Sequence, residues 1–542
     1  MTDPGSRNLC LVLGMTALLS GLAFPAQSQG PATTGTALAI RVAVPQISPF
    51  RQAIAIAAAE DAEIAAFFRD RDYAPFWTSA DGAARRAALL SALAEAPLHA
   101  LPTTHDPAPL LAAFAKARSE GDRGRLEVAM SRAFLAFARD LSSGVVEPGR
   151  VDGGIVRTVE RPDPRALLDG FAAAEPAAFL RGLAPRHPEY ARLLKAHARL
   201  RAQIAAGGWG PPVRAKALRP GDTGAEVVAL RDRLAAMGHL GRTATATYDS
   251  AVQSAVQRFQ FEHGLVADGI AHEATIAQIN VGPEDRLRAV IVAMERERWM
   301  NHDRGARHIV VNLTDFTAKI IDDGIVTFAT RAVIGSTVSD KQTPEFSHRM
   351  TYMELNPDWT VPPGIIRRDY LPRLQSNPNA LRHLQVVDSR GRVVPRDQID
   401  FSAYSSRNFP FNLRQPPGAS NALGRVKFMF PNPWSIYLHD TPEKHLFARD
   451  RRAYSSGCVR LNDPFDFAYV LLSRQEEDPR RAFHRVLDTG RQERIFLKDP
   501  VPIHIDYRTA FTDARGRVHY RADIYGRDAA IHAALLRAGV EG

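Results

Sequence analysis

The sequence predicts a multi-domain α+β protein with a helical scaffold domain, a small three-helix domain and a mainly-β domain that carries a long lid insertion. Three observations support this prediction. The chain has 542 residues, which is too long for one hydrophobic core. Apolar residues follow a helical period up to residue 299, and from residue 307 they follow the period of β-strands. Between the main helical part and the strands, residues 213–282 form a separate unit with its own Gly-led turns.

The composition is that of a soluble globular protein, with 45% apolar and 24% charged residues. The net charge of +10 is spread along the chain rather than concentrated in basic runs. A solvated basic surface accounts for this excess, and a polyanionic envelope as partner is the alternative. Because no nucleic-acid-binding motif accompanies the charge, we predict no nucleic-acid partner.

The N-terminal residues have the pattern of an export signal. Arg7 precedes the apolar run Leu9–Phe24, and small residues suitable for cleavage follow it. We therefore predict a signal peptide at residues 1–28 and a linker at residues 29–50. An uncleaved signal that anchors the chain in the membrane is the alternative, since no other stretch is long and apolar enough to span one.

Residues 51–212 are predicted to form the helical scaffold domain, to which we assign no chemistry because no polar constellation recurs in it. Breaks such as Glu147-Pro148-Gly149 separate its helices. The predicted helices are Ala53–Phe68, Ala83–Ala96, Arg125–Leu141 and Tyr190–Ala206. A further helix is predicted at Glu284–Trp299, within residues 283–306. It follows the three-helix unit and is expected to pack on the scaffold domain.

The three-helix unit at residues 213–282 opens with Arg219-Pro220-Gly221-Asp222-Thr223-Gly224. It then carries the patterns A-V-x-x-F-Q-x-x-H-G-L, which ends at Leu265, and Asp268-Gly269. Together these motifs resemble the peptidoglycan-binding domain that is attached to many cell-wall enzymes. An unrelated small helical bundle is the alternative interpretation.

Residues 307–506 are predicted to form the mainly-β domain. The run His308–Leu313 is rich in β-branched residues, and Asp322-Asp323-Gly324 is typical of a hairpin turn. Further strands are predicted at Arg331–Gly335, Arg349–Leu355, Val426–Phe430 and Ser435–His439. Residues 360–424 interrupt this domain, and an insertion of that length is typically a functional lid or disordered. Its aromatic and proline content favours a lid, with a helix at Ile365–Leu374.

Cys458 is the candidate nucleophile. Because Cys10 lies within the predicted signal, Cys458 is the one thiol expected after export, and no intrachain disulfide is expected. A thiol reacts as the thiolate, and a neighbouring imidazole is one means of generating it, so His439 is the candidate base. Strand alternation places Tyr437 with His439 and Cys458 with Arg460, so pairing of the two strands would bring all four to one surface. The N–H groups at Gly457 and Cys458 are candidate oxyanion donors.

The pattern H-x-T-P that begins at His439, followed by S-S-G-C-V-R around Cys458, resembles the L,D-transpeptidases and their YkuD-type catalytic domain. The order of signal, scaffold, peptidoglycan-binding unit and catalytic domain is similar to that of the large YcbB-type members of Gram-negative bacteria. Asn356-Pro357-Asp358-Trp359 and the C-terminal segment 507–542 fit that subgroup. One departure is Ser456, where many members carry His.

The resemblance implies a peptidoglycan L,D-transpeptidase in the periplasm that forms 3-3 cross-links between diaminopimelate residues and releases D-alanine. Cys458 would hold the acyl group as a thioester, His439 would transfer protons, and the N–H groups of Tyr437, Gly457 and Cys458 would bind the oxyanion. The predicted substrate-binding residues are Arg460, Ser456, Trp359, Gln415 and Asn421. The partners would be donor and acceptor tetrapeptide stems and a D,D-carboxypeptidase that supplies the tetrapeptides. No cofactor or metal is expected, and carbapenems are expected to acylate Cys458.

Plainer alternatives remain open for these residues. His439 would be structural if it lay alone on a strand, and a zinc set of His439, His445 and Cys458 matches no common spacing. Arg460 has Asp463 or Asp466 as candidate partners, while Gln415, Gly418 and Asn421 would simply shape turns of the lid. At the level of the whole protein, an L,D-carboxypeptidase or cross-link hydrolase would use the same thiol, and a non-catalytic wall-binding protein would not need it.

Overall fold

A computed structural model describes residues 47–542. The predicted signal peptide and most of the predicted linker lie outside this range. The described part has a helical N-terminal region, a three-helix domain and a mainly-β domain, as the sequence predicts. Within residues 47–542, no helix is long and apolar enough to cross a membrane.

Nine helices, counted within the described residues, build the scaffold: α1 Pro49–Ala57, α2 Ala62–Asp70, α3 Ala83–Ala94, α4 Ala108–Lys116, α5 Glu120–Ser143, α6 Pro148–Val151, α7 Pro164–Ala173, α8 Pro176–Gly182 and α9 Pro188–Ala205. Short 3₁₀ turns lie at Ala96–His99 and Thr103–His105. The core includes a stack in which the Phe171 ring lies 5.5 Å from Trp77 and 4.7 Å from Phe134. The prediction of one helix over Ala53–Phe68 is wrong, because a turn at residues 58–61 separates α1 from α2.

The three-helix domain consists of α10 Ala225–Ala236, α11 Ser250–Glu262 and α12 Glu273–Asn280. Its motif residues hold the domain together. The Tyr248 hydroxyl donates to the Gly269 carbonyl at 2.9 Å, and the buried Gln260 side chain accepts from the Gly269 N–H at 2.9 Å. Gly269 has φ +75°, a conformation that favours glycine. The Asp-Gly pair of the sequence motif is therefore a turn fixed by Tyr248 and Gln260.

Helix α13, Pro283–Trp299, connects this domain with the β domain and is buried along most of its length. Several of its buried charged side chains are hydrogen-bonded or ion-paired. The fully buried Glu295 accepts from the Val145 and Val146 N–H groups at 2.6 and 2.9 Å. Arg296 contacts Asp528 at 3.0 Å and also pairs with Glu345. The helix thus joins the scaffold to the β domain and to the C-terminal segment.

The fourteen strands of the described residues are β1 Arg307–Asn312, β2 Thr317–Asp322, β3 Ile325–Gly335, β4 Phe346–Leu355, β5 Trp359–Thr360, β6 Gln385–Val387, β7 Asn412–Gln415, β8 Val426–Met429, β9 Leu438–His439, β10 Ala453–Ser455, β11 Val459–Leu461, β12 Glu493–Asp506, β13 Ala510–Thr512 and β14 Val518–Tyr520. Nine of them form the main sheet, in the order β10-β3-β11-β9-β8-β4-β12-β1-β2. Strand β2 also pairs with β3, which closes the sheet on itself.

The β2–β3 hairpin confirms the predicted turn, since Asp323 and Gly324 both have positive φ, at +50° and +80°. Buried residues such as Ile309, Phe428 and Leu438 fill the core of the sheet. The helices α16 Pro464–Leu472 and α17 Pro479–Leu487 and the 3₁₀ turns Ser339–Lys341 and Lys444–Ala448 complete the domain.

The lid insertion has a core of its own and a three-stranded sheet in the order β5-β7-β6. The predicted helix Ile365–Leu374 is divided into α14 Pro363–Ile365, a π-helical turn Ile366–Tyr370 and α15 Leu371–Ser376. Two 3₁₀ turns follow, at Arg396–Gln398 and Phe401–Ala403. Arg368 pairs with Asp340, and Lys341 lies 3.7 Å from Asp369. These ion pairs join the lid to the loop after β3.

The C-terminal segment contains β13, β14 and α18 Arg527–Arg537. Its apolar residues Ala510, Val518, Ile531 and Leu535 belong to the core of the helical scaffold. The buried Arg157 of the scaffold contacts Asp506 at 2.7 Å, immediately before this segment. The end of the chain is therefore packed between the scaffold and the β domain.

Candidate active site

Strands β9 and β11 lie side by side and parallel, with Leu438 opposite Val459 and His439 opposite Arg460. Cys458 immediately precedes β11, and the Val459 N–H donates to the Tyr437 carbonyl at 3.1 Å. Continuing this register places Cys458 beside Tyr437. Since side chains alternate along a strand, Tyr437, His439, Cys458 and Arg460 share one face while Leu438 and Val459 enter the core.

The predicted strand Ser435–His439 is shorter than expected and begins at Leu438. The cause is the Asn432 side chain, which accepts from the Trp434 and Ile436 N–H groups at 3.1 Å each. A turn therefore replaces the first part of the strand. In this turn Ser435 has φ +54°, and its carbonyl oxygen lies 3.5 Å from the Cys458 Sγ.

Cys458 keeps partial contact with solvent. Burial of the sulfur raises the pKa of the Cys458 thiol above its ordinary value. Hydrogen bonding from the backbone and side chain of Tyr437 and the charges of Arg460 and Lys427 lower that pKa, but they do not outweigh burial. The resting thiol is therefore protonated at neutral pH.

His439 is buried, and its Nδ1 forms a hydrogen bond with the Asp440 carbonyl. Because a carbonyl oxygen only accepts, Nδ1 carries the proton and Nε2 keeps its lone pair. Burial, with a further contribution from the charge of Arg460, lowers the pKa of His439 to about 3. The Asp440 and Leu423 carbonyls raise the pKa of His439, but by less than burial lowers it. A neutral imidazole has the protonation state of a general base.

Within residues 47–542, no hydrogen bond joins the Cys458 Sγ to the His439 ring. The two side chains lie on the same face of neighbouring strands, and the Tyr437 ring, 5.6 Å from the His439 ring, lies beside both. The structure thus brings thiol and imidazole together on one surface but leaves them out of hydrogen-bonding contact. Their direct contact stays a prediction.

The three predicted oxyanion donors have different surroundings. The Gly457 N–H donates to the Ser455 Oγ at 3.1 Å, so it would have to give up this bond to reach an oxyanion. Among the hydrogen bonds of the described residues, none uses the Cys458 N–H. The Tyr437 N–H lies close enough to the Cys458 sulfur to lower the pKa of the thiol. Cys458 and Tyr437 are therefore better placed as donors than Gly457.

Arg460 pairs with Glu443, and not with Asp463 or Asp466 as the plainer alternative proposed. Asp463 instead accepts from the Thr330 hydroxyl at 2.8 Å. The Arg460 Nε is buried and has no hydrogen-bond partner within the described residues. Ser456 is exposed beside the nucleophile.

The side chains of the predicted substrate-binding residues of the lid mainly make contacts within the lid itself. Trp359 is only 9% exposed and belongs to the core of the lid. The Gln415 side chain accepts from the Ala422 N–H at 2.9 Å, and Asn421 accepts from the Leu423 N–H at 2.8 Å. These contacts support the alternative that Gln415 and Asn421 shape the lid. A substrate role for them stays a prediction.

Sequence reasoning missed Lys427 and its partner Glu354. Lys427 lies opposite His439 across β8 and β9, and its Nζ contacts the buried Glu354 at 2.7 Å. The same Nζ lies 5.6 Å from the centre of the Tyr437 ring. A lone lysine in the apolar strand Val426–Met429 was the available signal. For the zinc alternative, the described residues contain no group of three or more His, Cys, Asp and Glu that could hold a metal ion.

Three regions of the chain match known families. Residues 62–196 match a "Scaffold domain", residues 223–279 a "Putative peptidoglycan binding domain" and residues 306–503 the YkuD "L,D-transpeptidase catalytic domain". A protein of Haemophilus influenzae named "Putative L,D-transpeptidase" is 32% identical over 230 residues, which are 42% of this chain and 46% of the relative. The match thus spans about half the length of that relative.

Two solved L,D-transpeptidases have similar segments. The structure from Xylanimonas cellulosilytica is 15% identical with a TM-score of 0.17, and it covers 55% of this chain and 100% of its own. The structure from Stackebrandtia nassauensis is 14% identical with a TM-score of 0.21, and it covers 55% of this chain and 98% of its own. These scores are too low to add to the fold assignment.

The sheet, the motif around Cys458 and the matched regions define the class as a multi-domain protein with one region similar to L,D-transpeptidase catalytic domains and another similar to peptidoglycan-binding domains. Residues 306–503 match the YkuD family of L,D-transpeptidase catalytic domains. The family resemblance predicted from the sequence is confirmed.

Proposed function

We propose that this protein forms 3-3 cross-links between diaminopimelate residues of peptidoglycan, with Cys458 as nucleophile and His439 as base. One observation carries the proposal. The parallel pairing of β9 with β11 places the thiol, a neutral imidazole and an unpartnered Cys458 N–H at one surface.

In the acylation step, the Cys458 sulfur attacks the carbonyl carbon that links diaminopimelate to the terminal D-alanine of a donor tetrapeptide. The thiol proton passes to the His439 Nε2, and the sulfur–carbon bond forms. The carbonyl oxygen becomes an oxyanion that accepts from the Cys458 and Tyr437 N–H groups, with Gly457 as the further predicted donor. As the carbon–nitrogen bond breaks, His439 returns the proton to the departing D-alanine amine.

In the transfer step, the side-chain amine of an acceptor stem attacks the thioester. His439 removes a proton from the amine, the new amide bond forms, and the Cys458 thiolate leaves and regains a proton. Water in place of the amine would give a tripeptide by hydrolysis. The lid, which ion pairs connect to the loop after β3, would form the acceptor groove and limit the access of water.

The N-terminal sequence supports action in the periplasm, where donor and acceptor stems occur and where a D,D-carboxypeptidase would supply tetrapeptides. Residues 213–282 would hold the enzyme on the wall. Fractionation of cells that carry the tagged full chain tests this location, and a tag recovered in the cytoplasm would contradict it.

The test of the activity is incubation of the protein with purified tetrapeptide-rich peptidoglycan fragments, followed by mass spectrometry. We expect dimers that lack one D-alanine, and none with Cys458→Ala. Tripeptides without dimers would identify a carboxypeptidase, and loss of existing dimers a hydrolase. If neither the wild-type protein nor Cys458→Ala alters the fragments but both bind to wall material, the protein is a non-catalytic wall-binding protein.

A further inference from the structure

The carbonyl group of Gly457 is held by a residue far away in the sequence. The Thr343 hydroxyl is fully buried and donates to this carbonyl at 2.7 Å. The same hydroxyl accepts from the Gly335 N–H at 2.9 Å. Because a hydroxyl has one proton and that proton is not needed for Gly335, it is available for Gly457.

The Gly457 carbonyl and the Cys458 N–H belong to the same peptide group. That group is planar and trans, so its C=O and N–H point in opposite directions. Fixing the carbonyl therefore fixes the direction of the Cys458 N–H, the donor that has no hydrogen-bond partner among the described residues. Gly457 itself has φ +124° and is flexible unless held.

Thr343 is in turn held by the C-terminal segment. The Arg527 guanidinium, which is fully buried, donates to the Thr343 carbonyl at 3.0 Å. The Tyr525 hydroxyl donates to the Gly335 carbonyl at 2.6 Å and accepts from the Thr343 N–H at 3.4 Å. Tyr525 therefore fixes both sides of the loop that carries the Thr343 hydroxyl.

Tyr525 and Arg527 are themselves fixed by their neighbours. The Tyr525 N–H donates to the Tyr507 hydroxyl at 2.8 Å, and the two rings stack at 5.6 Å. The Arg527 guanidinium lies 4.8 Å from the centre of the Tyr525 ring and contacts Glu345 at 3.1 Å. A continuous set of contacts thus runs from the C-terminal segment to the peptide bond before the nucleophile.

We propose that Thr343 and Tyr525 are positioning residues that aim the Cys458 N–H at the developing oxyanion, which makes the C-terminal segment 507–542 part of the active site. This inference rests on the proposed function, since it concerns the acyl-transfer step. These contacts fix the direction of the Cys458 N–H and do not touch the thiol. They should therefore affect the chemical step more than substrate binding or the reactivity of the sulfur.

The test compares Thr343→Val, which removes the hydroxyl at nearly constant volume, with Thr343→Ser, which keeps it. Loss of a whole oxyanion donor costs roughly 10²–10³ in kcat, so a loosened donor should cost about tenfold. We expect kcat with tetrapeptide fragments to fall about tenfold in Thr343→Val at unchanged KM, and to be restored in Thr343→Ser. Tyr525→Phe should lower kcat by a smaller factor. Alkylation of Cys458 by iodoacetamide needs no oxyanion and should stay within twofold.

Thr330→Val, on β3, is the matched control, because Thr330 is buried like Thr343 and its hydroxyl likewise both donates and accepts a hydrogen bond, in each case with Asp463. It should lower thermal stability without lowering kcat. If Thr343→Val does not fold, the proposal is still supported when Thr343→Ser has the same kcat as the wild-type protein and Tyr525→Phe has a reduced kcat. A kcat equal to that of wild type in Thr343→Val or in Tyr525→Phe would overturn the proposal. A fall in the alkylation rate of Thr343→Val as large as its fall in kcat would also overturn it. An inactive wild-type protein would instead count against the proposed function.

Discussion

His439 and Arg460 are direct neighbours across the parallel strands β9 and β11. Burial, aided by the charge of Arg460, lowers the pKa of His439 to about 3, while burial raises the pKa of the Cys458 thiol. Both groups are therefore neutral at neutral pH. The sequence led us to expect an imidazole that generates the thiolate. The structure favours a proton transfer that accompanies attack on the substrate.

The first prediction concerns the pH dependence of alkylation. The rate at which iodoacetamide modifies Cys458 should rise with pH and inflect above the ordinary thiol pKa of 9.0, because burial raises it. His439→Gln should show the same inflection, since neutral His439 does not ionise the resting thiol. Mass spectrometry of samples quenched over time gives the rates. A plateau near neutral pH that disappears in His439→Gln would instead establish a resting ion pair.

The second prediction concerns Arg460, whose guanidinium pairs with Glu443 at the edge of the site. If Arg460 binds a substrate carboxylate, Arg460→Gln should raise KM for the donor tetrapeptide about tenfold, because a charged hydrogen bond contributes about 1.5–3 kcal/mol. Steady-state kinetics measures the change. Glu443→Gln is the control and should not raise KM. Unchanged KM in Arg460→Gln would assign the arginine to the ion pair alone.

The positions of the central candidate residues could be predicted because their signals are local. Cys458 and His439 lie in short motifs, and strand alternation correctly placed Tyr437 and Arg460 on the same face. The partners of these residues could not be predicted. Glu443 for Arg460, and Thr343 for the Gly457 carbonyl, depend on tertiary contacts that no spacing in the sequence reveals.

In the fold, too, elements with a local sequence signal could be predicted and the others could not. The hairpin at Asp323-Gly324 was predictable because an Asp-Gly pair supplies the positive φ angles that the turn needs. The break between α1 and α2 contains no Pro or Gly, so it gave no signal. The strand at Ser435–His439 was overextended because the Asn432 side chain stabilises a turn there. Local side-chain hydrogen bonds of this kind compete with regular structure.

The third prediction is that carbapenems acylate Cys458. Attack of the sulfur on the β-lactam carbonyl opens the ring, and the added mass equals that of the whole inhibitor because no group leaves. Intact-protein mass spectrometry should show one adduct per chain, and peptide mapping should place it on Cys458. Cys458→Ala should show none. A folded wild-type protein that remains unmodified would count against both the nucleophile and the oxyanion donors.

The last prediction concerns stability in acid. Burial lowers the pKa of His197 and of His504 to about 4, whereas a histidine in an unfolded chain titrates near 6.5. Between these values the unfolded chain binds protons that the folded chain does not. The free energy of unfolding therefore decreases as the pH falls from 6.5 towards 4, by about 1.4 kcal/mol per pH unit for each such histidine.

Urea unfolding midpoints measured at several pH values should decrease as the pH is lowered through this range. His504→Gln should reduce this pH dependence, whereas a Gln substitution at the exposed His445 should not. Equal slopes for wild type and His504→Gln would contradict the assignment.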